Sequence, residues 1–119
     1  MNLLLPRLAC CLAALALAVA PALAKRAAPA PVAPVVVGEV EYSVPLGEMG
    51  FVVATDVKTR KELWRVRVYE VRIDPNLEED VQHVFIKSLT HERGMLIVTN
   101  ERGDTFTLDP ATRKATKRK

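Results

Sequence analysis

From Val35 onward the chain alternates apolar and polar residues in short runs cut by turn residues, the period of two that marks half-buried strands. Val40, Tyr42 and Val44 interleave with Glu39, Glu41 and Ser43, and Pro45 with Gly47 closes that run. Phe51 to Thr55 is a short apolar run between Gly50 and Asp56. Asp56 to Lys61 predicts a turn, and Glu62 to Ile73 a long strand. Trp64, Val66 and Val68 share one face of that strand, and Arg65, Arg67 and Tyr69 the other. Past Tyr69 the alternation slips, because Val71 and Ile73 are apolar where polar residues are due. The slip predicts a β-bulge or a sharp twist near Tyr69 and Glu70. Asp74-Pro75-Asn76 breaks the strand, with Asn76 as a helix cap, and one helical turn is expected near 77–82 before Val84 to Leu89 resumes extended structure. A hairpin closes the pattern: Met95 to Asn100 and Thr105 to Asp109, joined through Gly103.

The expected fold is therefore all-β, a small antiparallel meander of five to six strands over residues 35–111. Trp64, Phe51, Phe85 and Phe106 are the expected core anchors, having the largest apolar areas to bury. A core of this size stands near the lower limit for packing without staples.

The N-terminus changes the picture. Arg7 precedes an unbroken apolar run, Leu8 to Ala20, then Pro21 and Ala22-Leu23-Ala24. That is the layout of a secretory signal peptide cleaved near Ala24, leaving an exported chain, periplasmic or secreted, of about 95 residues. The leader holds Cys10 and Cys11, the only two cysteines, so the mature chain has no thiol nucleophile, cysteine metal site or redox pair. Lys25 to Pro34, rich in Ala and Pro, reads as an extended spacer.

The spacing Asp-x-x-Thr-Arg-Lys occurs twice, at Asp56-Thr59-Arg60-Lys61 and Asp109-Thr112-Arg113-Lys114. With Ala54, Leu63 and Trp64 around the first copy and Thr99 to Asp109 leading into the second, the pattern resembles the repeat of PQQ-like β-propeller blades. There a strand ending in Asp is followed by a Thr-Gly-Lys turn and a strand with a buried Trp. The likeness covers Gly50 to Trp64 and Met95 to Thr112, and marks Asp56, Thr59, Trp64, Asp109 and Thr112 as a structural motif. Arg60 and Arg113 stand where the family has its turn glycine. The resemblance implies a blade-like sheet, free-standing or completed by a partner. The chain has length for at most about two blades, whereas closed propellers use about four to eight. The quinoprotein activity, which needs the channel of a full ring, is not implied.

Charge and chemistry narrow the function. Residues 35–111 hold 9 Lys/Arg and 14 Asp/Glu, whereas Arg113, Lys114, Lys117, Arg118 and Lys119 put five cations into the last seven positions. Residues 112–119 therefore read as a disordered basic tail with weak affinity for anionic surfaces. The acidic run Asp74, Asn76, Glu78, Glu79, Asp80 lacks the glycine and closing Glu of a calcium loop. His83 and His91 have no third ligand pattern, and no nucleophile elbow or phosphate loop is present. No catalytic residue, metal or cofactor is expected. The reading is a non-enzymatic module binding a protein or envelope component through a sheet edge or the face of Arg65, Arg67 and Tyr69, without sequence-specific nucleic-acid binding. The alternatives are a homo-oligomeric assembly of blades and, last, a carboxylate enzyme.

Overall fold

The computed structural model describes residues 27–119; the expected leader over 1–24, with its two cysteines, lies outside the described residues. The described residues are all-β, with eight strands rather than five or six: β1 (Val35–Val37), β2 (Val40–Ser43), β3 (Phe51–Asp56), β4 (Glu62–Arg67), β5 (Ile86–Glu92), β6 (Met95–Asn100), β7 (Thr105–Asp109) and β8 (Lys114–Lys117). They form two four-stranded antiparallel sheets, β1-β2-β3-β4 and β5-β6-β7-β8, each strand pairing only with its neighbours in sequence. Two elements were hidden in the alternation. Val35–Val37, ahead of the expected strand over 39–44, forms β1, joined to β2 by a tight turn at Gly38 (φ 64°). The expected disordered tail supplies β8, held against β7 with Ala115 opposite Leu108.

Glu62 to Ile73 is not one long strand. Its ladder with β3 ends where the Val68 amide donates to Gly50 O at 2.6 Å, and the chain then turns off the sheet. The irregularity lies earlier than Tyr69 and Glu70, opposite Ala54 and Thr55, where Leu63 is the extra residue of a bulge. A single 3₁₀ turn, Asp80–Gln82, falls inside the segment expected to be helical. Asn76 does not cap it. Asp74 Oδ1 accepts from the Asn76 amide, and Gln82 clasps the connector by accepting from the Asp74 amide and donating to the Asp74 and Glu78 carbonyls.

The two sheets share one core. Tyr42, Val52, Ala54 and Val68 meet Ile86, Leu89, Leu96, Val98, Phe106 and Leu108. Leu96, Leu108, Val52 and Val98 are fully enclosed. Of the expected anchors, Phe85 and Phe106 are buried, and Trp64 is half-buried against Tyr42 with ring centroids 5.8 Å apart. Phe51 is not in the core, because pairing with Arg67 puts it on the opposite face from Val52 and Ala54.

The two copies of Asp-x-x-Thr-Arg-Lys build the same turn at the same place in each sheet, between its third and fourth strands. Asp56 Oδ1 accepts from the Lys58 and Thr59 amides at 2.9 Å, and the Arg60 amide returns to Asp56 O at 2.8 Å. Asp109 Oδ1 accepts from Ala111 at 2.9 Å and Thr112 at 3.5 Å, and the Arg113 amide returns to Asp109 O. Arg60 and Arg113 both have φ 63°, the left-handed conformation that the missing glycine would supply.

Matching Asp56 to Asp109 gives the relation between the sheets. In β3 the core face is Val52 and Ala54, four and two positions before the aspartate; in β7 it is Phe106 and Leu108, three and one before it. Successive strand residues point to opposite faces, so the sheets stack front to back. Their outer faces differ in chemistry. Sheet one shows ion-paired Glu41, Arg65 and Arg67, and sheet two shows Ser88, Thr90, Thr99, Thr105, Thr107 and Thr116.

The Ala/Pro stretch, expected as a free spacer, lies on the domain. Pro29, Val32 and Val35 are half-buried while the pairs between them are exposed, the three-residue period of polyproline II, and Val32 packs against the core.

Candidate interaction site at the β4 edge

The four strands β1, β4, β5 and β8 end the sheets, and β4 carries the residues singled out by the sequence. Arg65 and Arg67 do share the outer face of sheet one, but neither is a free cation. Arg65 is clamped, its guanidinium 2.9 Å from Glu48 and 3.0 Å from Glu62, and bonding to Glu62 and then Glu48 pushes its pKa further up. Val53, its cross-strand partner on the outer face, is buried. Arg67 lies over the Phe51 ring, 4.8 Å from its centroid, with Glu70 at 3.8 Å.

Tyr69 does not belong to this face. Beyond Arg67 the chain has left the sheet, and the tyrosine turns inward between the two sheets. Its ring stacks on Phe106 at 5.1 Å, and its hydroxyl donates to Val84 O at 2.6 Å. Burial, reinforced by the nearby Glu101 carboxylate, raises its pKa well above that of an exposed tyrosine. Tyr69 is an anchor between sheets. The turn is possible because Gly50 (φ 78°) lies against it: a Cβ there would run into the Tyr69 carbonyl.

At the end of β4 is an open cleft of about 360 Å³ lined by Glu48, Met49, Phe51, Arg67, Glu70 and Val71. Its floor is apolar and its rim charged. Reasoning from sequence missed Met49, Phe51 and Val71 here; the pairing of Phe51 with Arg67 follows from the β3–β4 register, which the bulge at Leu63 obscures. The motif residues Asp56, Thr59, Asp109 and Thr112 are turn builders at the other end of the sheets, and Trp64 points from β4 to the core. Among the described residues no three His, Cys, Asp or Glu side chains converge as a metal site. His83 is 3.7 Å from Glu79 and edge-on to Phe85, and His91 is exposed.

No family model matches the chain, and no curated protein matches it.

Proposed function

We propose that the protein is an exported, non-enzymatic β module of two PQQ-like blades that binds an envelope protein by strand addition at β4. The observation that carries the reading is the difference between the two outer edges. β8 is guarded by Lys114 and Lys117, the usual defence of an edge strand. β4 has neither lysine nor proline, and past the Leu63 bulge its arginines are tied to carboxylates and an aromatic ring of their own sheet. An extended partner segment would satisfy the free backbone groups of Trp64 to Arg67 and place an apolar side chain in the Met49–Phe51–Val71 cleft. The blade reading is supported by consecutive meanders with identical Asp-headed turns, stacked front to back. Export is supported by the basic start, apolar run and Ala-x-Ala ahead of Lys25.

The test is capture from an envelope extract by the mature chain, compared with Leu63→Lys and Arg67→Glu. Both should lose the partner while keeping the native circular dichroism spectrum; undiminished capture refutes the site. A second reading, a ring subunit, is favoured by the front-to-back stacking, since each outer face is the counterpart of a face buried inside the chain. It ranks second because joining copies would bury ion pairs and hydroxyls in place of apolar side chains. Sedimentation showing only monomer at high concentration removes it.

A further inference from the structure

The turns Gly38–Glu39, 57–61, Arg93–Gly94 and 110–113 lie at one end of the molecule. Within each meander the first and third turns share an end. The Tyr69–Phe106 stack, and the bond from the Val84 amide to Met49 Sδ, join the opposite ends of the two sheets. Among the described residues, three that are not glycine have positive φ: Arg60 (63°), Arg93 (51°) and Arg113 (63°). All three are arginines, and all three are on this end.

The left-handed region crowds any side chain with a Cβ, and glycine would sit in these turns without strain. A cation is therefore kept three times where the backbone calls for glycine. Lys58 and Lys61 lie in the second of these turns, and Lys114 directly follows the fourth. The nearby acids are largely occupied: Glu39 with Lys58, Glu41 with Arg60 and Glu62 with Arg65, while Asp56 and Asp109 accept turn amides. Lys61, Arg93, Arg113 and Lys114 have no ion-pair partner among the described residues; of the nearby acids, exposed Glu92 has none either, and Asp56 and Asp109 bond only turn amides. Val57 and Leu63 are exposed among these cations.

From this we infer a second surface, separate from the β4 cleft: the arginine-bearing end docks on anionic phospholipid headgroups. Unpaired cations on adjacent turn tips meet the phosphates of a flat surface, and Val57 and Leu63 enter the interface between headgroups and acyl chains. A polyanion with no apolar layer, such as duplex DNA, would leave both side chains in water.

The experiment is co-sedimentation of the mature chain with vesicles of phosphatidylcholine alone and of phosphatidylcholine mixed with phosphatidylglycerol, with a DNA duplex as competitor. Binding is expected only to the anionic vesicles and should fall with salt. The double variant Arg93→Gly/Arg113→Gly should bind about twenty-five-fold more weakly, each surface cation contributing about fivefold. Its melting temperature should be unchanged or higher, because glycine relieves both turns. Arg93→Asn/Arg113→Asn, which also tolerates the conformation, repeats the measurement should the glycine pair fail to fold. Equal binding to neutral vesicles, unchanged binding by the variants, loss only when Lys117, Arg118 and Lys119 become Gln, or duplex binding tighter than vesicle binding would each overturn the inference.

Discussion

Asp56 shows how one side chain decides a turn. Its carboxylate accepts two amides; the bond from the Thr59 amide is the largest influence on its pKa and lowers it, desolvation opposes that, and the Lys58 amide and Thr59 hydroxyl add to the lowering. Because the folded pKa is depressed, the stabilisation is complete above the ordinary carboxylate value of about 4 and is lost as pH falls through the depressed one. Asp56→Asn keeps an acceptor oxygen but no charge. The gap in melting temperature between it and the parent chain should therefore shrink as pH drops below about 4, as calorimetry over a pH series will show. Tyr69 has the opposite sign. Its raised pKa means that stability is intact below about 10 and declines as pH rises toward the folded value. Tyr69→Phe should cost about 1–3 kcal/mol at neutral pH by leaving the buried Val84 carbonyl unpaired. In urea titrations that cost should narrow above about pH 10, where the tyrosine of the unfolded parent chain ionises while the folded one stays neutral. Asn100 does for the β6–β7 turn what Asp56 does for its own: its Oδ1 accepts the Arg102 and Asp104 amides from a buried position.

At the scale of elements, β4 is defined by how it ends. Gly50 lets the Tyr69 carbonyl pass where no side chain fits, so Gly50→Ala should separate β4 from its exit and lower the unfolding free energy by about 2 kcal/mol or more. Chemical denaturation measures this directly, with Gly47→Ala, which meets nothing, as the control for positive φ alone. The exit also explains which parts of the structure were legible. Alternation located β7, which has one buried side, and the faces of Trp64 and Arg65, while β3 and β6 were legible as short apolar runs bounded by turn residues, because each buries three residues in succession. It carried Tyr69 to the wrong face, because a strand pattern holds no sign of the point where the chain leaves its ladder. It did not show β1, since Val35, Val36 and Val37 are apolar in succession and carry no alternation. It also took β8 for a tail, because four lysines and arginines in six residues read as solvated although Ala115 alone supplies the inward contact. Of the candidate site, the arginines were visible, but Phe51 and the cleft depended on a register that sequence does not state.

At the scale of the molecule, the single core between sheets is what makes two meanders one body. Leu96 is fully enclosed in it, and Leu96→Ala should cost about 2–5 kcal/mol, a large share of the stability of a domain this small, measurable by thermal or denaturant unfolding. Yet every strand pairs only with its neighbour along the chain, and just the face-to-face contact joins residues far apart in sequence. Such a topology sets an order of events in time. Hairpins close locally, on a scale of about 1–10 μs, and docking of one sheet on the other follows as the slower step. Tyr69 and Phe106, which meet only across that contact, belong to the late step. Changing them should slow folding as well as quicken unfolding, whereas Gly103, which turns the β6–β7 hairpin, governs the rate at which the second sheet first appears.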